Sequence, residues 1–511
     1  MNILDLFCGA GGLSCGFKKA GFAIYAGIDI DGTSLKTFSV NHPNAIVLKH
    51  DISRHSPEES TKTLGIDISK IDGIIGGPPC QGFSYAGKRQ KTDLNNVLLW
   101  KFVEWVNYVR PKFFLMENVI GLLTFEKGMT YQLLYNLMCN MGYVVQCKAM
   151  NFGEYGLPQK RERIIIIGLN MNKIGFPIIE NFHPNETHYV PKEMTGIYGN
   201  KSKMIHHNIH GIDYFFDGYD NLNSLKKFVN IEEAFYGLSN DTSKCDNVIK
   251  LNYNDNDNED TKQSNKSEFI DFVTDNKKTI YTSNHISKKV NQKYIPILNS
   301  IAEGQMYRSN RFGNKYVGVW DIYGKSFSDI QIKILKVISK HNDRLKKKYP
   351  YQYLSLQDLH SLFCIRQELL ERIDPLILNH AIDNLVDDGW IKIVWVDDDY
   401  DNIPTYRLTN KSGLYPRFQR LDRKSISNTI MTNDFDGRNK IHPTINRGLS
   451  LREGARIQSF PDDFIFYGNF SDIVKQIGNA VPPLIAYKLG IHIIKLLGGE
   501  KISSIQSNIT I

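Results

Sequence analysis

The sequence predicts an α/β fold in which helices cover both faces of a mostly parallel sheet, built by residues 1 to about 170. Short apolar runs alternate there with amphipathic stretches, the order expected of strands separated by helices. The runs are apolar along their whole length, as strands buried on both faces must be. In order they are Asn2–Phe7, Ala23–Ile28, Ala45–Leu48, Gly73–Ile75, Phe113–Met116, Val144–Ala149 and Arg163–Leu169. Between the fourth and fifth, Asn96–Tyr108 reads as a helix with Leu98, Phe102, Trp105 and Val106 on one face. Near the C-terminus, Leu484–Leu497 is apolar nearly all round and is expected as a helix buried against this domain.

At 511 residues the chain is long enough for two or three domains. A net charge of +8 is compatible with a polyanionic partner without identifying one. The seven cysteines include no Cys-x-x-Cys pair, which argues against a disulfide framework. Met1-Asn2-Ile3-Leu4 runs directly into Asp5, so no secretory leader is expected. No uninterrupted apolar stretch reaches the roughly 20 residues of a membrane helix. The expectation is a cytoplasmic protein with free thiols and no membrane partner.

The domain reading is a catalytic and cofactor-binding domain over 1–180, a target-recognition region over 181–415, and the end of the recognition domain with the return to the catalytic domain over 416–500. The polar stretch 238–278, centred on Asn254–Asp260, is expected as a disordered loop. Residues 327–410 read as a separate winged-helix-like unit. Ile330, Ile334, Val337 and Ile338 mark its first helix, and Leu356–Phe363 its second. Leu378, Ile382, Leu385 and Val386 mark the third, which stops at Gly389. Trp390–Val396 and Thr405–Leu408 then form a hairpin around Asp397–Asn402. Asp397, Asp398 and Asp399 at its tip would repel phosphate, so a spacing or protein-docking role is favoured over DNA contact.

Four clusters carry chemistry. Asp5–Gly12 (DLFCGAGG) joins the first strand to a helix, where glycines let backbone amides approach a ligand. Asp29 ends the second strand, placed to hold ribose hydroxyls, and Asp51 ends the third, placed to hold an adenine amino group. This spacing suits a dinucleotide and S-adenosylmethionine alike. Gly76–Ser84 (GGPPCQGFS) follows the fourth strand with Cys80 at its tip. A thiol of pKa about 8.5 there becomes a nucleophile once helix dipoles or cations raise its thiolate fraction. Cys8, Cys15, Cys139, Cys147, Cys245 and Cys364 read instead as small buried hydrophobes. Met116–Val119 (MENV) sets Glu117 in apolar surroundings, as a proton donor of raised pKa or, more blandly, a helix cap. Gln159–Arg163 (QKRER) alternates Arg161 and Arg163 on an extended segment, as a forked clamp for an anion or carbonyl requires.

Together with Leu451–Phe464 (LREGARIQSFPDDF) and Gln476–Pro483 (QIGNAVPP), these motifs resemble, in order, those of bacterial-type DNA (cytosine-5)-methyltransferases. The resemblance covers about 1–180 and 411–500 and implies a Rossmann-like S-adenosylmethionine-dependent methyltransferase sheet. It also implies a smaller target-recognition domain, within which the winged-helix-like unit is an insertion. Cys80 would attack carbon 6 of a flipped cytosine, and Glu117 would bond ring nitrogen 3 and the exocyclic amine. Arg163 would hold the oxygen on carbon 2, supported by Arg161. By the same resemblance Phe7, Gly9, Ala10, Gly11, Gly12, Asp29, Ile30, Asp51, Ile52, Pro79, Leu98, Asn479, Ala480 and Val481 surround S-adenosyl-L-methionine, and no metal is implied. The implied partner is double-stranded DNA, with room for a cognate restriction endonuclease, and a monomer is expected. Ala86 stands where relatives often carry a small hydroxyl residue, so the contact that fills the emptied base stack does not carry over.

Three other readings compete. A tRNA cytosine-5-methyltransferase would use the same catalytic set, but its Cys-Phe-Thr tripeptide is absent. A DNA-binding regulator on a dead methylase scaffold should have lost Cys80, Glu117 or a cofactor residue, and all are present. A nicotinamide-dependent oxidoreductase would leave the Pro78-Pro79-Cys80 loop without a role.

Overall fold

The computed structural model describes residues 1–79, 95–174, 181–190, 225–238, 268–275, 292–307, 328–345, 374–388, 391–398, 401–408 and 418–498 except 438, with shorter pieces between. Packing divides the chain into two compact units. The first holds Met1–Ser287, Arg423–Asn433 and Ser450–Ile511; the second holds Lys288–Asp422 and Asp434–Leu449. Residues 181–287, counted with the recognition region from sequence, pack with the first unit.

The first unit is built on a nine-stranded sheet. Its strands are β1 (Asn2–Leu6), β2 (Ala23–Asp29), β3 (Ile46–Lys49), β4 (Gly73–Gly76), β5 (Phe113–Asn118) and β6 (Tyr143–Asn151). After the two-residue β7 (Gln159–Lys160), which lies outside the sheet, come β8 (Glu162–Asn170), then Lys203–Ile209 and Ile212–Asp213 at one edge. The order β3-β2-β1-β4-β5 is parallel throughout, and the chain reverses direction of winding between β1 and β4. β8 then enters antiparallel between β5 and β6. All seven sequence-predicted strands are present. What the apolar run Arg163–Leu169 could not disclose was its antiparallel direction.

Alternation along each strand feeds two cores. Ile3, Phe113, Leu115, Ile165 and Ile167 point to one face, and Leu4, Phe114, Met116, Ile164 and Ile166 to the other. The first face is covered by α1 (Gly12–Lys19), α2 (Gly32–Asn41) and a C-terminal helix. The second is covered by α3 (Pro57–Leu64), α4 (Asn95–Val109) and α5 (Met129–Asn140). On α4 the inward residues Leu99, Phe102, Val103, Trp105 and Val106 are all buried. Each such large side chain contributes roughly 1.5–3 kcal/mol. Leu98 is only half-buried and is left for the site.

Three helices follow the chain's second return to the first unit at Ser450: α6 (Leu451–Ile457), α7 (Phe470–Asn479) and α8 (Pro483–Leu496). α6 and α7 each begin with a capping box, Ser450 with Glu453 and Asn469 with Asp472. α8 packs so closely on α1 that a Cβ on Gly16 would sit 2.2 Å from the Pro483 carbonyl. Among the described residues, Phe470–Leu496 alone is apolar and long enough to cross a membrane by composition. It breaks at Ala480–Pro482 into α7 and α8, and its apolar window is 67% buried.

The stretch expected to be a disordered loop is not wholly irregular. Glu268–Thr274 forms a helix because Phe269, Ile270, Phe272 and Val273 have a core to enter; all four are buried. The acidic centre of that stretch lies outside the described residues.

In the second unit, Leu298, Ile301, Phe418 and Ile441 form one core, tied by Arg420. Its guanidinium donates to the carbonyls of Leu298 (2.8 Å), Ile301 (2.7 Å) and His442 (2.9 Å). Within 327–410, helices Asp329–Leu345 and Pro375–Asp387 pack through Ile334, Leu335, Ile338, Leu378, Ile382 and Leu385. A three-stranded sheet orders Leu354–Ser355, Asp401–Leu408 and Ile391–Asp398. The hairpin runs further than expected: Asp397 pairs with Asn402 and Asp398 with Asp401. Most of the expected second helix, Leu356–Phe363, and the wing tip at Asp399 lie outside the described residues.

Candidate active site

A cleft of about 1150 Å³ opens in the first unit where the winding reverses, at the carboxyl ends of the parallel strands. Its floor is the turn after β1. Phe7 (φ 59°), Gly9 (φ 51°) and Gly11 (φ 90°) take left-handed conformations, which swing the chain from the sheet edge into α1. A Cβ on Gly12 would stand 2.5 Å from the Val481 carbonyl, so only glycine allows this contact with the segment between α7 and α8. Asn479, Ala480 and Val481 thereby form a wall of the cleft.

Acidic strand ends face this turn. Asp29, closing β2, accepts from the backbone N–H of Gly9 and of Asp31, each at 2.8 Å. Burial raises its pKa, and those two amides work against the rise. Asp51 accepts from the Ser53 hydroxyl (2.6 Å) and amide (3.0 Å) and lies 3.0 Å from Arg54 Nε. The Ser53 hydroxyl is the main reason its pKa is lowered. Ile30 is 62% exposed beside these groups, an apolar surface held open, while Ile52 is buried.

Asp5, on β1 below the turn, was read only as part of the first motif. It is 1% exposed and accepts from Ser14 Oγ at 2.6 Å. Burial pushes its pKa from the ordinary 3.8 to about 7, against the Ser14 hydrogen bond and aided by Asp29. A folded-state pKa above the unfolded one means the folded protein binds the proton more tightly. Stability contributed by this proton is therefore full below about pH 4 and lost as pH rises to about 7. Asp5→Asn keeps an acceptor for Ser14 without a charge to bury. It should match wild type in urea unfolding at pH 4 and exceed it by on the order of 2–4 kcal/mol at pH 8. A difference that stays constant from pH 4 to 8 would contradict this assignment.

At the other end of the cleft stand β5 and β8. Their antiparallel register pairs Glu117 with Ile165, which brings Arg163 beside the carboxylate. Arg163 Nε lies 3.0 Å from Glu117 Oε1. The contact lacks hydrogen-bond alignment, so Oε1, buried, keeps an acceptor position open. Arg163 Nη1 also donates to the Glu162 carbonyl at 2.7 Å. Arg161 sits in the kink between β7 and β8 and is 3% exposed. Burial first, then Arg163, pushes its pKa down to about 9, and Glu117 opposes the shift. Its Nη1 reaches the Gly478 carbonyl at 3.5 Å, and its Nε has no hydrogen-bond partner among the described residues.

The kink itself is fastened by Gln159, a residue whose role sequence did not disclose. Its amide donates to the Ile457 carbonyl (3.0 Å) and Gln458 Oε1 (2.6 Å) and accepts from the Ile430 N–H (3.0 Å).

Of the predicted cofactor residues, Phe7, Gly9, Ala10, Gly12, Asp29, Ile30, Asp51, Ile52, Pro79, Leu98, Asn479, Ala480 and Val481 line the cleft, as do Glu117, Arg161 and Arg163. Gly11 does not; its Cα faces Phe38 and His42 on and after α2. Cys80 lies outside the described residues, one position beyond Pro79. Cys8, Cys15 and Cys147 are buried as expected and Cys139 is half-buried, although Cys8 also lines the cleft. Sequence reasoning missed Asp31, Ser34, His50, Ser53, Arg54, Lys475 and Gln476, which also line it. Lys475 stands three and four residues before Gly478 and Asn479, a helical spacing that was legible.

Comparison with known proteins gives the family and a similar fold. The family model described as C-5 cytosine-specific DNA methylase matches residues 1–495. The type II methyltransferase M.DdeI of Desulfomicrobium norvegicum is 28% identical, over 96% of this chain and 87% of that one. The type II methyltransferase M.AgeI of Thalassovita gelatinovora is 26% identical, over 95% and 97%. The fold is similar to that of a DNA modification methyltransferase encoded within an E. coli prophage. There the TM-score is 0.54 at 20% identity, covering 98% of this chain and 99% of the other.

Proposed function

The chain belongs to the C-5 cytosine-specific DNA methylase family, and from that premise we propose that it methylates carbon 5 of a cytosine extruded from duplex DNA, through a transient bond between Cys80 and carbon 6. The observation that carries this reading is one cleft that joins two halves. Acidic strand ends around a glycine turn suit a nucleoside, and Glu117, Arg161 and Arg163 line the same cleft as Pro78 and Pro79, the two residues that precede Cys80 in sequence.

The residues fit S-adenosyl-L-methionine as the methyl donor. Asp29 and Asp51 offer acceptors for ribose hydroxyls and an adenine amine, Ile30 offers apolar surface, and the space around Gly9 is open to a close ligand. When bound, this cofactor supplies a methyl group activated by a sulfonium. The fit to a flipped cytosine rests on two atoms buried from water without a hydrogen bond, Glu117 Oε1 and Arg161 Nε, where a missing partner costs about 1–3 kcal/mol.

The chemistry assigned to the chain runs as follows. The Cys80 sulfur forms a bond to carbon 6, and the displaced ring electrons make carbon 5 nucleophilic. Glu117 hydrogen-bonds ring nitrogen 3 and receives a hydrogen bond from the exocyclic amine, while Arg163, backed by Arg161, holds the oxygen on carbon 2. These contacts stabilise the charge that the addition pushes into the ring. Once carbon 5 has taken the methyl group, with the donor released as S-adenosylhomocysteine, loss of the carbon 5 proton to solvent returns the electron pair that breaks the Cys80–carbon 6 bond. Extrusion of the base costs a few kcal/mol of stacking and pairing, recovered in these contacts.

Two relatives of nearly full length are named type II methyltransferases. Their names support a role as a modification enzyme that protects duplex DNA from a cognate endonuclease. The direct test is incubation of the purified protein with tritiated S-adenosylmethionine and unmethylated duplex DNA, followed by nucleoside analysis. Label is expected in 5-methylcytosine at one sequence context. Label on a ring amine, or on tRNA but not duplex DNA, would overturn the reading.

A further inference from the structure

The charges lining the cleft do not all pair with one another. Four cations line it: Arg54, Arg161, Arg163 and Lys475. Arg54 is 3.0 Å from Asp51, and Arg163 is 3.0 Å from Glu117. Arg161 is buried beside that same Glu117. Lys475 is exposed and has no hydrogen bond or ion pair among the described residues.

Its backbone is nonetheless firmly held. The next residue, Gln476, accepts from Thr37 Oγ1 and donates to the Tyr467 carbonyl, each at 2.8 Å, which fixes α7 against α2. Gly478 and Asn479, one turn on, line the cleft on the same helical face. Lys475 is thus a solvated cation on a rigid stem at the mouth of a site otherwise rich in carboxylates.

We propose that Lys475 binds the carboxylate of the amino-acid tail of S-adenosylmethionine, an inference that rests on the cofactor reading above. The cofactor carries a sulfonium and an ammonium, which suit the acidic walls, and a single carboxylate, which does not. A cation stabilises that carboxylate, and Arg161 and Arg163 are committed at the Glu117 end. Lys475 is the lining cation still available among the described residues, and an ammonium–carboxylate hydrogen bond gives it a partner.

Calorimetric titration of the full-length protein separates this role from others. The probes are S-adenosylhomocysteine, which keeps the tail, and 5′-deoxy-5′-methylthioadenosine, which lacks it. Lys475→Ala should weaken S-adenosylhomocysteine about tenfold, the loss of one partly exposed charge-assisted contact. It should leave methylthioadenosine within about twofold, and Lys475→Arg should stay within about threefold of wild type for both. Equal losses for the two ligands, or no loss for the first, would overturn the proposal. So would an unchanged S-adenosylhomocysteine affinity with a DNA-binding salt slope reduced by about one, which would assign Lys475 to a phosphate. Failure of the wild type to bind S-adenosylhomocysteine would sink the cofactor reading itself, a result distinct from all of these.

Discussion

Replacement of Cys80 by Ser should reduce methyl transfer by at least about four orders of magnitude while leaving binding of S-adenosylhomocysteine unchanged. Carbon 5 of cytosine is too poor a nucleophile to take a methyl group until something adds to carbon 6. A thiol is partly ionised near neutral pH, whereas an alcohol needs a general base to become a nucleophile. Glu117 faces the ring nitrogen in the proposed geometry and is paired with Arg163, so it is not placed to serve as that base. The second half of the test uses duplex DNA with 5-fluorocytosine at the target position. Fluorine replaces the proton whose loss releases the sulfur, so wild-type protein should remain covalently attached after denaturation. The Cys80→Ser protein should form no such adduct. Transfer by that variant within tenfold of wild type, or an adduct on another residue, would remove the sulfur from the mechanism.

What the sequence disclosed, and what it withheld, follows from the range of the interactions involved. Asp29 and Asp51 were legible as candidates, and both line the cleft, because a strand end and a following helix are local features that set where a carboxylate stands. The apolar strands were legible for the same reason. The direction of β8 was not, since a strand buried on both faces has the same composition whether its neighbours run parallel or antiparallel. Gln159 looked like one polar residue among several, and its partners are Ile457 and Gln458, almost 300 positions away. The proton on Asp5 depends on burial that no motif expresses. The Asp397–Asn402 segment shows the opposite error. Its acidic residues suggested a loop, yet antiparallel pairing extends to Asp397 with Asn402 and Asp398 with Asp401, because the ladder is made by backbone groups that residue type does not remove.

The same reasoning explains a second large effect, expected at Asp462. Polar residues in the segment Leu451–Phe464 would ordinarily be read as surface, but Arg456 and Asp462 are both 0% exposed and form a forked pair. Arg456 Nε donates to Asp462 Oδ1 at 2.6 Å and Nη2 to Oδ2 at 2.7 Å. The remaining nitrogen donates to the carbonyls of Ala234 (3.1 Å) and Tyr236 (2.8 Å), so one guanidinium joins α6 to a segment more than 200 residues earlier. Asp462→Ala would take from that buried guanidinium both acceptors of the forked pair and the counter-charge they carry, a loss of about 3–5 kcal/mol. Its urea midpoint, followed by hydrogen exchange of α6 amides, should fall accordingly, and Asp462→Asn should fall less because one acceptor survives. The pair itself costs desolvation on both sides, so the double variant Arg456→Met with Asp462→Leu should recover much of the stability that either single loss removes. Additive losses in the double variant would mean that the two side chains hold the fold through separate contacts, and that their charges are not what couples the two segments.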